Sequence, residues 1–214
     1  MSIIAPAITV ETPEALAEAI QRIEAFAMRV HVDISDGEFA PTFLLGEDML
    51  TWPANWQVDV HAMVMRPSEH IARLIALRPS MIIFHAEITE DKMVLIDQIK
   101  QAGIRVGVAL LRTTVPSTVA DIIQAVDHVM IFSGELGEYG GTASLMQLEK
   151  VRLIKNINDK VEIGWDGGVS LENAYTLSKG GVDVLNSGGS IAEAENPAGM
   201  YNALTKEINK RGVL

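Results

Sequence analysis

No cysteine occurs in the 214 residues, so disulfides, thiolate metal sites and cysteine nucleophiles are excluded by inspection. Any metal must be held by histidines and carboxylates. There is also no run of eighteen apolar residues, and Met1-Ser-Ile-Ile-Ala-Pro6 lacks the basic region and apolar segment of a signal peptide. The chain reads as soluble and cytoplasmic, with no membrane partner. Positive charge is scarce: 17 Lys and Arg against 28 Asp and Glu give a net charge of -11, with no basic cluster. This argues against nucleic acid, whose phosphate backbone requires clustered Lys and Arg. A small anion is still allowed, because backbone N–H groups at a helix N-terminus suffice for one phosphate. Apolar residues make up 48% of the chain, enough for one well-filled core and a single domain over residues 1–214.

Short strand-like runs alternate with helical patterns along the chain, the signature of βα units around a parallel sheet. Eight runs qualify: 3–8, 30–37, 57–65, 80–84, 104–110, 128–132, 161–165 and 182–185. Thr12-Pro13-Glu14 supplies an N-cap, a first-turn proline and a helix-dipole acid. Leu16, Ile20, Ile23 and Ala27 form the apolar stripe of the helix that follows. Helices are likewise expected from Pro67, through Met93 to a C-cap at Gly103, over 116–125, around Leu148 and Ile154, and out to Ile208. The segment 39–56 is long and irregular, with a short helix near 47–50, and reads as a lid or a subunit contact through Trp52 and Trp56. Eight strands with polar residues gathered at their C-terminal ends predict a (β/α)8 TIM barrel. A doubly wound open sheet would need a Gly-rich turn after the first strand, and Ala5-Pro6-Ala7 offers none.

In Val30-His-Val-Asp-Ile-Ser-Asp-Gly37 apolar and polar residues alternate, so His31 and Asp33 share one side of a strand next to an Asp-Gly turn. Taken alone the pair suits a metal, a proton transfer or a buried core hydrogen bond. His61 on the third strand and Asp166 at the end of the seventh add a second imidazole and a second carboxylate. Together His31, Asp33, His61 and Asp166 suit a divalent Zn, Mn, Fe or Co ion. His85 and Glu87, at the fourth strand end, are either partners behind such a ligand or a capping pair, with the capping pair preferred. His70 and His128 have no ligand-like neighbour and read as surface or packing residues. Most methionines read as core filling, Met63 alone as a pocket candidate.

Three glycine sets lie at strand ends: Gly140-Gly141, Gly167-Gly168 and Gly188-Gly189-Ser190. They serve tight turns or a phosphate, and their position after the later strands of a barrel favours phosphate.

His31-Val-Asp-Ile-Ser-Asp-Gly-Glu-Phe-Ala-Pro41, Asp59-Val-His-Ala-Met-Val64, Phe84-His-Ala-Glu87, Gly140-Gly141, Trp165-Asp-Gly-Gly-Val169 and Ser187-Gly-Gly-Ser190 resemble, in order and spacing, the motifs of the ribulose-phosphate 3-epimerase family. The resemblance implies a barrel with a divalent metal on His31, Asp33, His61 and Asp166. It also implies that Asp33 and Asp166 act as acid and base on opposite faces of a sugar phosphate. The implied reaction interconverts D-ribulose 5-phosphate and D-xylulose 5-phosphate through an enediolate, with Gly140, Gly141, Gly167, Gly168, Gly189, Ser190 and Met63 around the substrate. A homo-oligomer is expected.

The chain departs from that pattern. Ala7 stands where the family has serine, Ser35 and Phe132 where it has methionine, and Trp165 where it has valine. The loop Glu135-Leu-Gly-Glu-Tyr-Gly-Gly141 brings two acids toward an anionic substrate. These changes are expected to reshape the pocket while leaving metal and aspartates intact. A hexulose phosphate substrate, a non-catalytic sugar-phosphate-binding barrel, or a decarboxylase or lyase are the alternatives. A lyase would more typically need a strand-end lysine, which is not found at those positions.

Overall fold

In the computed structural model, which describes residues 1–137 and 141–210, each of the eight runs becomes a strand. They are β1 (Ile3–Ile8), β2 (Arg29–Ser35), β3 (Gln57–Met63), β4 (Met81–His85), β5 (Arg105–Leu110), β6 (His128–Phe132), β7 (Glu162–Asp166) and β8 (Val184–Ser187). All pair in parallel in chain order, and β8 returns to β1 through Ile3↔Val184 and Ala5↔Asn186, closing the barrel. Pleating sorts the side chains. Val58, Val60 and Ala62 of β3 face outward into the large core shared with the helices, whereas Met81, Ile83, Ala109, Met130 and Phe132 form a separate cluster. Those five share the inward period of their strands and fill the barrel. β8 runs two residues beyond the expected Leu185, because Asn186 and Ser187 still pair with Ala5 and Pro6.

The helices are α1 (Pro13–Ile23), α2 (Ile71–Leu77), α3 (Lys92–Gln101), α4 (Ala120–Ala125), α5 (Glu149–Ile157), α6 (Ala174–Lys179), α7 (Gly189–Ala192) and α8 (Pro197–Ile208). Thr12 caps α1 by accepting the Ala15 N–H at 3.2 Å, and Asn196 caps α8 by accepting the Gly199 N–H at 2.9 Å. The stretches expected as single helices from Pro67, over 116–125 and around Leu148 and Ile154 each begin instead with a 3-10 turn, at Pro67–Glu69, Pro116–Val119 and Leu145–Leu148. Among the described residues no helix is long and apolar enough to cross a membrane.

No α-helix joins β2 to β3; a 3-10 turn at Glu47–Met49 takes its place. Glu47 is buried and accepts from His70 Nδ1 at 3.0 Å and Arg73 Nη1 at 2.8 Å, which fastens this segment to α2. Trp56 is buried and Trp52 packs half-buried against the core, so the two indoles serve packing; the exposed apolar side chains here are Phe43 and Met49.

The N-terminal end of the barrel is filled by ion pairs. Arg29 donates to Asp59 at 2.6 Å and with both terminal nitrogens to Glu162 at 2.9 and 2.8 Å. Glu162 also accepts from His128 Nδ1 at 2.8 Å and Arg105 at 3.0 Å. The expectation that His70 and His128 lack ligand-like neighbours is thus corrected: each faces a carboxylate, brought to it from a distant part of the chain.

Candidate active site at the C-terminal mouth of the barrel

The inward side chains of β1, β2, β3, β6, β7 and β8 open at their C-terminal ends into a cavity of about 1090 Å³, lined by Asp33, Met63, Phe132, Asp166 and Asn186 among others. Register puts Asp33 opposite His61 and Asp166 opposite Phe132. His31 and Asp33 share the inward face of β2 as the alternation predicted. One donor atom from each of His31, Asp33, His61 and Asp166 lies within 4.8 Å of the others. Asp33 Oδ1 is 3.1 Å from His31 Nε2 and 2.8 Å from His61 Nδ1, and Asp166 Oδ2 is 4.0 Å from His31 Nε2.

Two imidazole nitrogens and two carboxylates converging at the floor of the cavity fit a divalent cation of the Zn, Mn, Fe or Co kind. Burial alone would favour protonation of both carboxylates. At Asp33 the charge and hydrogen bond of His31, with those of His61, outweigh burial and hold its carboxyl well below the usual range. Asp166 is pushed up, by burial and, against the pull of His31, by the nearby charge of Asp33. For His31 burial is outweighed by Asp33, which raises the imidazole to about 8, whereas burial lowers His61. The two carboxylates of the mouth thus differ in proton affinity, Asp33 holding a proton more weakly than Asp166.

Gly141, Gly167, Gly168, Gly189 and Ser190 line the same cavity, as does Met63, while Gly140 lies outside the described residues. Gly168 has φ +70°, and a Cβ there would come within 2.6 Å of the Thr142 carbonyl carbon and 2.9 Å of Ala143 Cα. Glycine at 168 thus lets the loop after β7 close on the loop after β6. Ser190 lies in the first turn of α7 and its hydroxyl donates to Val169 O at 2.6 Å, fixing the loops after β7 and β8 together.

The departures act differently from one another. Ala7 and Phe132 do line the cavity. Ser35 instead donates to Thr42 O at 2.7 Å and pins the loop after β2. Trp165 does not reshape the pocket as expected: it faces the outer core and its indole N–H donates to Gly167 O at 3.0 Å. Glu135 reaches the cavity but pairs with Arg112 at 2.9 Å, which offsets its charge toward an anion; Glu138 lies outside the described residues.

Sequence reasoning missed Thr9 and Asn186. Thr9 Oγ1 donates to Asp33 Oδ2 at 2.6 Å, holding the carboxylate from the end of β1. Its signal was the period of two from Ala5 through Ala7. Asn186 lines the cavity, with Oδ1 buried and unpartnered and Nδ2 at 3.3 Å from Met130 Sδ. Its signal was an amide on the inward side of the last strand, which ending that strand at Leu185 concealed.

A closed eight-stranded parallel barrel with its polar cluster at the C-terminal mouth defines a TIM-barrel enzyme. The chain belongs to the ribulose-phosphate 3 epimerase family, whose profile matches residues 3–192. It is 30% identical over 200 residues to the cytoplasmic isoform of ribulose-phosphate 3-epimerase from Oryza sativa subsp. japonica, covering 90% of this chain and 87% of that protein. To ribulose-phosphate 3-epimerase of Helicobacter pylori strain J99 it is 32% identical over 175 residues, covering 78% and 80%. Epimerases are isomerases, and so is this protein. Among solved structures, 3-hexulose-6-phosphate synthase from Salmonella typhimurium superposes with a TM-score of 0.72 at 15% identity, covering 97% of this chain and 98% of that one. Orotidine 5'-phosphate decarboxylase from Pyrococcus horikoshii superposes with a TM-score of 0.69 at 14% identity, covering 98% and 100%. At such identities the likeness is one of fold.

Proposed function

We propose that the protein interconverts D-ribulose 5-phosphate and D-xylulose 5-phosphate by moving a proton at C3. The observation that carries this reading is the convergence of Asp33 and Asp166, from non-neighbouring strands, on one point of the mouth together with His31 and His61. Inverting a carbon needs two acid-base groups, because one base alone would return the proton to the face it came from. The ionised Asp33 takes the C3 proton, and Asp166 returns one to the opposite face; in the reverse direction they exchange roles. Thr9, donating to Asp33 Oδ2, keeps that carboxylate oriented between turnovers.

His31, Asp33, His61 and Asp166 would hold a divalent ion, Zn, Mn, Fe or Co. Such an ion supplies positive charge against the enediolate that forms when the proton leaves. Backbone N–H groups around Gly141, Gly167, Gly168, Gly189 and Ser190 hold the phosphate, and Met63 with Phe132 packs against the sugar. Exposed Phe43 and Met49 on the β2–β3 segment support a homo-oligomer, which sizing at high concentration tests.

The test is NMR of D-ribulose 5-phosphate in D2O with metal-loaded protein. Deuterium entering C3 together with xylulose 5-phosphate, both lost in Asp33→Asn and in Asp166→Asn, supports the reading. Binding without exchange would make this a sugar-phosphate-binding barrel, and exchange only with a hexulose phosphate would move the substrate.

A further inference from the structure

Both nitrogens of the buried His61 ring have neighbours: Nδ1 lies 2.8 Å from Asp33 Oδ1, and Nε2 lies 2.9 Å from Nε2 of His85. A contact between two ring nitrogens holds one hydrogen, so one ring donates and the other accepts. The other nitrogen of His85, Nδ1, lies 3.3 Å from Glu87 Oε2. An ionised carboxylate only accepts, so it draws the hydrogen of a neutral His85 to Nδ1 and leaves Nε2 as a lone pair. His61 must then donate from Nε2. Its Nδ1 then faces Asp33 Oδ1 at 2.8 Å as acceptor against acceptor, a gap that a cation fills and that an added proton occupies in its absence.

Glu87 is itself fixed. Its Oε1 accepts the Leu111 N–H at 2.9 Å and the hydroxyl of Thr114. That loop is held in turn by Lys150 Nζ, which donates to the carbonyls of Leu111 at 2.5 Å and Arg112 at 3.1 Å. No solvent reaches the middle of this chain of contacts: His85 is fully buried, its ring centroid 4.4 Å from that of Phe39 and 5.6 Å from that of Phe132.

We propose that His85 and Glu87 are positioning residues that fix the proton of His61 on Nε2 and so keep Nδ1 open toward Asp33 and Asp166. The proposal rests on the reading of that cluster as a metal centre. It makes Glu87, which is not one of the four cluster residues, a determinant of metal affinity through two intervening rings. Partners of this kind typically change affinity by 10–100-fold when removed.

Glu87→Gln is the informative variant, because glutamine keeps the size but has only one acceptor oxygen. With that oxygen on the Leu111 N–H and Thr114, its NH2 faces His85 Nδ1 and turns it into an acceptor. Each hydrogen then shifts to the opposite nitrogen, and His61 carries its proton on Nδ1. His85→Phe is the second variant, retaining a ring beside Phe39 and Phe132 while deleting the acceptor for His61 Nε2. Zn2+ affinity is measured by competition with a chromophoric chelator, and the protonated nitrogen of His61 by 15N–1H correlation on histidine-labelled protein. Expected are a 10–100-fold loss of affinity in both variants, unchanged melting of the metal-free Glu87→Gln protein, and a proton on Nε2 of His61 in the Zn2+-loaded wild type. Affinities within twofold of wild type in both variants, or a proton on Nδ1 in the loaded wild type, would overturn the proposal and leave the metal centre standing. A wild-type protein that binds no Zn2+, Mn2+ or Co2+ would overturn both.

Discussion

Gly164 of β7 lies directly against the ring of His128 on β6: a Cβ at 164 would come within 2.7 Å of His128 Cε1 and 3.4 Å of Met130 Cγ. The ring cannot step aside, because its Nδ1 is bonded to Glu162 at 2.8 Å. Gly164→Ala is therefore expected to destabilise the fold by about 1–3 kcal/mol, as overpacking does in dense interiors. For a chain of this size that lowers the melting midpoint by about 2–4 °C per kcal/mol. Calorimetry would check it, and an unchanged midpoint would show that the barrel floor has slack.

The carboxyl of Glu162 titrates well below its usual range: burial opposes its charge, but hydrogen bonds and charges of Arg29 and His128 outweigh burial. A depressed folded-state value means a stabilisation that is complete above the unfolded value of about 4.3 and is lost as pH falls below it. Wild-type stability should thus decline below about pH 5. Glu162→Gln should be weaker at pH 7 by about 3–5 kcal/mol, since Arg29 is left incompletely paired, and its stability should vary less with pH in that acid window. Urea melts from pH 7 to pH 3 on both proteins test this.

At the mouth, Asp33→Asn and Asp166→Asn should each lower kcat by about 10²–10⁴-fold, the usual worth of a proton-transfer group. Steady-state kinetics on metal-loaded proteins give the value. A loss under tenfold for either aspartate would count against its acid-base role.

Stripping divalent ions with a chelator should lower the melting midpoint, and Zn2+ or Co2+ at a hundred times its Kd should restore about 2.7 kcal/mol. At the same total metal concentration the restored increment should be smaller in Asp33→Asn, because a neutral amide is a weaker ligand for a cation than the carboxylate it replaces. Differential scanning calorimetry with and without metal decides this, and equal increments would place the ion elsewhere.

Gly168→Ala would force the loop after β7 away from Thr142 and Ala143 and put a side chain at φ +70°. KM for the sugar phosphate is expected to rise about tenfold or more, from a strain of about 1–3 kcal/mol in this wall of the cavity. An unchanged KM would remove this loop from the binding surface.

The strands and the four-residue cluster were legible because both follow a period of two: His31 with Asp33 needs only the pleat, and His61 is found by the same count on β3. What escaped depends on neighbours across the barrel. Arg29 and Glu162 look like charges bounding two unrelated strands, and only closure brings them together. His85 and Glu87 were preferred as a capping pair because their local spacing is the same either way. The β3–β4 pairing of His61 with Ile83, one pleat short of His85, is what sets the second imidazole beside the first. The β8 boundary was missed because Asn186-Ser187-Gly188 has turn composition, and β1 overrides it.

The seam between β1 and β8 also orders events in time. Ile3 cannot meet Val184 until nearly the whole chain exists. At ribosomal speeds of about 5–20 residues per second, one edge of β1 therefore stays unpaired for on the order of tens of seconds. During that wait His31, Asp33 and His61 are already made, but Asp166 is not. A nascent chain thus carries three of the four donors of the mouth well before the last is synthesised, and an ion captured early would meet an open sheet rather than a finished cup.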